Sequence, residues 1–316
     1  MTSVVQPRNN EKLNSNRIKH RFHKQTTKMD VQKELHQKGY CVIPDVLTPE
    51  ETMYAYDLFK NWQTTIPNHD QIHAAINPHG IYKYHEAGHT RHAWFIRTRP
   101  RVQEIFRALW ETDDLIASYD GCCYIPATCC RQDKCWTHTD QAPNVKGLQC
   151  YQGFVALTSN TERTFVCYEG THNIHEQYFQ EKEINHSKNW QLIPEGDLKF
   201  VAAATKRVLR VPAGALVLWD SRTFHQNQYG DPGSGEERLV QYVCYLPRNH
   251  PKHTKQVAAK RQKYFEERRT TSHWPAPINV NGKQPQTYGD TTKSIDYSLL
   301  VPPELDDLLP EIEKLI

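Results

Sequence analysis

Apolar positions change their spacing once along this chain. Up to about residue 110 they recur every three or four residues, the stripe of amphipathic helices; from about residue 115 they fall into short runs broken by Gly and Pro, the pattern of strands. In the first part, "MDVQKELHQKGYCVIPDVLTPEE" predicts a short helix, a turn at Gly39 and a strand over residues 40–43. A second helix then opens at Thr48, where Thr48, Pro49 and Glu51 stand as a capping box with proline at the first helical position. It carries Tyr54, Leu58, Phe59 and Trp62 at helical spacing, which marks them as core. A further helix is predicted over residues 100–110.

The runs "LIASYDGCCYIP", "GLQCYQGFVALTS", "TFVCYEG", "VLRVPAGALVLWD" and "ERLVQYVCYLP" predict the strands of a mainly β fold with flanking helices, a sandwich or jelly-roll barrel. A basic helix over about 252–269 and a Pro-rich tail follow. Residues 1–28 are polar and basic without apolar period, the composition of a disordered arm. The expected organisation is therefore an arm over 1–28, one domain over 29–270, and an extension over 271–316 packed on that domain.

Composition narrows the class. With 38% hydrophobic and 24% charged residues among 316, the chain reads as globular, and no run is long enough to cross a bilayer. Nine cysteines, an odd number in a chain of this size, point to free thiols in a reducing compartment. There is no apolar segment near Met1 of the kind a secretory signal needs, and the end "EKLI" is not a peroxisomal Ser-Lys-Leu, so a cytoplasmic protein is expected. The net charge of +3 marks no nucleic-acid face. The cluster Cys122, Cys123, Cys129, Cys130 and Cys135 lacks the paired C-x-x-C steps of structural zinc and reads as buried thiols.

The chemistry concentrates in "CWTHTDQAP", residues 135–143. His138 and Asp140, two apart in a strand-like segment, project to one face. They are half of a metal site or a hydrogen-bonded polar pair. The later segment "VPAGALVLWDSRTFHQN" supplies His225, completing the two-histidine, one-carboxylate set that holds Fe(II) on one side and leaves positions open. Arg238 opens the next strand. Inside a barrel its planar, permanently charged fork would call for a carboxylate on a second substrate, whereas at an exposed strand start it would pair with Glu236 or Glu237.

The ordered set His138, Asp140, His225 and Arg238, with its flanking segments, resembles the Fe(II)/2-oxoglutarate-dependent oxygenases. "ELHQKGYCVIPDVLTPEE" is similar to the opening of their phytanoyl-CoA dioxygenase-like family. The resemblance covers about residues 30–250; "RTTSHWPAPINVN" also resembles a C-terminal extension of some members. It implies a double-stranded β-helix (cupin-like) barrel. It further implies Fe(II), 2-oxoglutarate and O2 as cofactor and co-substrates, with Arg238 on the distal carboxylate. The reaction expected from it is hydroxylation of a C–H bond of a small organic or acyl substrate, 2-oxoglutarate leaving as succinate and CO2. A nucleobase or nucleic-acid substrate, with the basic arm on phosphates, is an alternative, as is a non-enzymatic cupin-like binding protein.

Further candidates surround this set. Gln149 and Tyr151 alternate onto one face of the following strand, within reach of the co-substrate. Trp136, Tyr124, His273 and Trp274 are candidate substrate contacts, the last two as a flap folded back over the pocket; Asp120 is placed at its mouth. The His- and Arg-dense "KYHEAGHTRHAWFIRTRP" reads as a solvated loop or an entrance cover. A small-molecule substrate is expected, without a membrane partner.

Overall fold

Thr48 caps its helix in the computed structural model of this chain, which describes residues 28–202 and 205–316. The Glu51 amide donates to Thr48 Oγ1 at 3.1 Å, and the Thr48 amide donates back to the Glu51 carboxylate at 3.0 Å. The expected basic arm lies outside the described residues except for Lys28, which opens the first helix.

Helices α1 (Lys28–Lys38), α2 (Pro49–Thr64), α3 (His69–Ile76), α4 (Arg91–Arg97) and α5 (Pro100–Trp110) surround strand β1 (Tyr40–Ile43). Strands β2 (Leu115–Ala117), β3 (Cys122–Ile125), β4 (His138–Thr139), β5 (Tyr151–Ala156) and β6 (Phe165–Tyr168) follow. Next come α6 (His175–Glu181), β7 (Gln191–Leu192), α7 (Glu195–Ala202), β8 (Lys206–Val208), β9 (Leu216–Asp220), β10 (His225–Asn227) and β11 (Arg238–Pro247). Helices α8 (Lys255–Glu266) and α9 (Leu309–Ile312) belong to the tail.

The strands form two antiparallel sheets, one ordered β1-β9-β5-β11-β2 with β3 also on β11, the other β7-β4-β10-β6-β8. Alternation along the first sheet divides its side chains. Leu216 and Leu218 of β9, with Leu239 and Val243 of β11, join Phe59, Trp94 and Phe106 in a core beneath the helices. Val217, Trp219, Phe154 and Val240 point the other way, onto Phe165 and Cys167 of the second sheet. The sheets thus face each other across an apolar layer, with the helices covering the outer side of the larger one.

Two stretches differ from the sequence reading. Tyr54 is 42% exposed rather than core, its ring edge-on to Phe95. The His-rich "KYHEAGHTRHAWFIRTRP" is not a solvated loop: it winds into α4, and His85, His89 and His92 are buried, while its first residue, Lys83, lines the cavity described below. Burial pushes the His89 and His92 imidazoles down to about 3, keeping them neutral at pH 7. Short polar side chains hide such a helix from periodicity, because each histidine reads as a polar position until its partner is known.

The tail folds back on the helix-covered side. Arg261, fully buried, donates to the carbonyls of Ala117, Pro275 and Leu315, each at 2.8 Å. Arg248 donates to those of Lys314 and Ile316 at 2.7 Å. Among the described residues no helix is long and apolar enough to cross a membrane.

Candidate active site

The second sheet creates the site by register. His225 of β10 stands opposite His138 of β4. Asp140, one residue past the end of β4, keeps the same facing as His138. The turn carrying it is pinned: Thr139 Oγ1 donates to the Ser221 carbonyl, and the Gln141 side chain accepts from Ser221 Oγ and donates to the carbonyls of Val145 and Gly147.

His138 Nε2 lies 3.6 Å and His225 Nε2 3.2 Å from the Asp140 carboxylate, and the possible ligand atoms of the three lie within 4.8 Å of one another. Each imidazole has its Nδ1 on a carbonyl two residues upstream, Trp136 O at 3.1 Å and Thr223 O at 2.8 Å. A carbonyl only accepts, so both Nδ1 atoms carry the proton and both Nε2 lone pairs face the carboxylate. Burial, with His225 beside it, pushes the His138 imidazole down to about 3. Burial alone would raise Asp140, but His273, His138 and His225 together hold it well below the usual carboxylate range. A neutral imidazole at His138 and an ionised carboxylate at Asp140 are the protonation states a metal ion requires. The set therefore fits a divalent ion held on one face.

The other face opens into a cavity of about 560 Å³ between the sheets. Trp136, His273, Trp274 and Asp120 all line it. Trp136 Nε1 donates to Asn227 O at 2.8 Å, and its ring stacks on His79 at 3.8 Å and on His138 at 4.8 Å. His273 and Trp274 arrive on the segment after α8, which bonds back on itself from Ser272 N to Asn279 O and from Asn281 N to Thr270 O, and joins Tyr119 through Thr271. His273 Nδ1 comes within 4.0 Å of Asp140. The Asp120 carboxylate receives the Gly121 amide, and burial pushes it up to about 7, against the pull of Arg97.

Arg238 is wholly buried, its guanidinium over the Phe154 ring between the sheets at 5.0 Å, and it does not itself line the cavity. It is not the exposed partner of its neighbours: Glu236 takes the amides of Thr161, Glu162 and Arg163, and Glu237 binds Lys60 and Tyr56. The guanidinium donates to Asn227 Oδ1 at 3.1 Å and the Arg163 carbonyl at 3.3 Å, while its Nε–H has no hydrogen-bond partner among the described residues. Among the described residues no carboxylate pairs with it. Between Arg238 and the open space stand Asn227 and Tyr242, which do line the cavity; Asn227 Nδ2 donates to the Tyr242 hydroxyl at 2.9 Å. The Tyr242 hydroxyl and Arg238 also meet the buried Cys123 thiol, drawing its pKa down against the rise that burial causes.

Three sequence expectations need correction. Gln149 lies before β5 on the surface, its amide on Lys146 O and its oxygen on Lys252. Tyr151 packs on Trp110 under the helices. Tyr124 lies against Phe59 and Lys60 in that same outer core. Alternation was the right rule with the wrong phase: it is Gln152, one residue on, that lines the cavity, with its side-chain oxygen unpartnered. Cys130 and Cys135 are exposed rather than buried, and Cys122 and Cys123 point into different cores. Asn227 and Tyr242 were missed, although spacing could have found them. They sit two residues after His225 and four after Arg238, on the inward faces of their strands.

No protein-family model matches the chain. It is 30% identical over 275 residues to the Ava biosynthesis cluster protein O of Aspergillus versicolor, covering 78% of this chain and 86% of that protein. Among solved structures, it is similar to the non-haem monooxygenase ThoJ in its apo form, with a TM-score of 0.53 at 14% identity over 90% of this chain and 93% of that one. HygX from Streptomyces hygroscopicus, solved with nickel and 2-oxoglutarate bound, superposes with a TM-score of 0.49 at 14% identity, over 70% and 87% of the two chains.

Proposed function

This chain belongs to the Fe(II)/2-oxoglutarate-dependent oxygenases, and we propose that it hydroxylates a C–H bond of a small organic molecule in the cavity between its two sheets. The observation carrying this reading is the convergence of His138, Asp140 and His225 with their open side on that cavity. The paired sheets are read as a double-stranded β-helix, with residues 29–270 as the oxygenase domain and 271–316 as an extension that completes its cavity wall.

With Fe(II) bound, O2 and 2-oxoglutarate supply the oxidising power, the co-substrate leaving as succinate and CO2 while C–H becomes C–OH. The chain supplies position and dryness. His138, Asp140 and His225 hold the ion from one side. Arg238 contributes the positive charge toward which the distal carboxylate of 2-oxoglutarate is drawn, with its partner Asn227 and Tyr242 between them at the cavity wall. A buried guanidinium without an acid is costly, and an anionic co-substrate removes that cost. Trp136, Trp219, Trp274 and Phe165 exclude water around the reacting atoms. His273 and Trp274 close the cavity from the extension and meet the substrate.

The test supplies Fe(II), 2-oxoglutarate and O2 with small-molecule extracts and follows succinate and product mass. The proposal expects 2-oxoglutarate-dependent gain of one oxygen atom in a small molecule. Succinate formed without any oxygenated product from any extract counts against hydroxylation. A nucleic-acid substrate would instead show oxygenation of an oligonucleotide with steep salt dependence. The fungal relative is a biosynthesis-cluster protein, which favours a small secondary metabolite as substrate.

A further inference from the structure

Trp190 stands in a conformation the fold does not reward. Its φ is +72°, in the left-handed region that bulky side chains avoid. Its side chain is left 46% exposed, and it belongs to none of the apolar cores. Backbone strain and an unburied indole thus meet in one residue, and that residue lines the mouth of the cavity. Strained residues of this kind gather at sites where a ligand is gripped.

Its surroundings hold it there. The Trp190 amide donates to the carbonyl of Asp140 at 3.3 Å, so the backbone is tied to a metal-binding residue. Asn189, just before it, accepts the Ala142 amide at 3.2 Å. Just after it, β7 pairs with β4, placing Leu192 opposite His138. The indole leans on the His138 ring at 5.5 Å with the planes 32° apart, which covers one side.

The cavity's other tryptophans are committed elsewhere. Trp136 has His79 and His138 stacked against it. Trp219 and Trp274 are 4% and 3% exposed. Trp190 alone among the four offers a largely open π-face at the cavity mouth, one imidazole away from the metal position.

We propose that Trp190 is the substrate platform of this oxygenase, taking a planar aromatic or conjugated ring by stacking and so selecting flat, π-rich substrates. The inference rests on the oxygenase reading of the cavity. It adds the shape and chemical class of what enters. A flat ring on the open indole face stands across the indole from His138, at the wall of the same cavity. Offset stacking favours the flat ring over a puckered one of the same carbon skeleton, because the puckered ring has no π-face to match.

The experiment uses the full chain loaded anaerobically with Fe(II) and 2-oxoglutarate, monitored by the visible charge-transfer band of the chelate. The probes are naphthalene-2-methanol and its fully saturated decahydro analogue. The wild type is expected to shift its band with the flat alcohol at a concentration about three- to tenfold lower than with the saturated one. Trp190→Phe should retain most of that preference and Trp190→Ala should lose it, with the band itself equal in all three. Equal response of the wild type to both probes overturns the inference, as does a preference that survives in Trp190→Ala. If Trp190→Ala fails to fold, Trp190→Leu, which keeps bulk without a π-face, decides in the same way. A wild type that dimerises and becomes monomeric on Trp190→Ala also overturns it, the indole then being a subunit contact. Absence of any band in the wild type would sink the oxygenase reading itself, a distinct result.

Discussion

His138 and His225 are register partners across the β4–β10 pair, with their rings 4.4 Å apart and both Nδ1 atoms held by carbonyls two residues upstream. The pairing aims both Nε2 atoms at one point, and Asp140 at the end of β4 closes the triangle. Losing a group that hydrogen-bonds a metal ligand typically lowers metal affinity by about 10–100-fold. Removing a ligand itself is expected to exceed that, so His225→Ala should bind Fe(II) more than about 100-fold more weakly while keeping its fold. Anaerobic calorimetry beside circular dichroism reads both properties. Unchanged Fe(II) affinity would remove His225 from the ligand set.

Arg238→Gln addresses the co-substrate rather than the metal. Hydrogen bonds to charged groups contribute about 1.5–3 kcal/mol. Half-saturation by 2-oxoglutarate should therefore rise about 10- to 100-fold with Fe(II) affinity unchanged. Steady-state succinate release at varied 2-oxoglutarate measures this. An unaltered half-saturation would mean that the distal carboxylate is met elsewhere, for instance at Trp219 Nε1, which is also buried without a partner.

The residues that were legible and those that were not separate along physical lines. Strands 40–43 and the helix over 100–110 were read to the residue, because dense apolar runs with proline or glycine at their ends leave little freedom. His138, Asp140 and His225 could be grouped because metal chemistry demands a particular donor set whatever the fold. Gln149, Tyr151 and Tyr124 could not be placed. Period two assigns residues to two faces of a strand, but in a sheet buried on both sides the two faces carry equally apolar neighbours. Phe154 packs inward and Val155 outward, and nothing in the residue types tells them apart. Trp190 was invisible for a different reason: its importance lies in a backbone angle and in an exposure that only the assembled mouth defines.

Gly121 tests how tightly the site's floor is built. A Cβ there would be driven into the Tyr82 carbonyl, backbone that cannot swing away, just between Asp120 and β3. Gly121→Ala should destabilise the protein by about 3 kcal/mol, the upper end for overpacking. Urea unfolding gives the number. A variant as stable as the wild type would show that the backbone approach at Asp120 is loose.

Asp120 gives the cavity a pH signature. Burial raises its carboxyl to about 7 in the folded protein from the ordinary aspartate value of 3.8. The folded state then holds this proton over a range where the unfolded chain has released it. Its contribution to stability is complete below pH 4 and is lost as pH rises toward and through 7. Asp120→Asn removes that slope, so the melting temperature of the variant should gain on the wild type steadily between pH 4 and pH 7. Parallel melting curves for the two metal-free proteins across that range would show that the carboxyl is not raised.

The most direct measurement is anaerobic titration of the metal-free protein, first with Fe(II) and then with 2-oxoglutarate, following the visible absorption of the chelate. The account expects a charge-transfer band in the wild type, none in His138→Ala or His225→Ala, and one in Arg238→Gln only at much higher 2-oxoglutarate. A wild type that binds neither Fe(II) nor 2-oxoglutarate would contradict it and leave the convergence of His138, Asp140 and His225 without a metal to explain it.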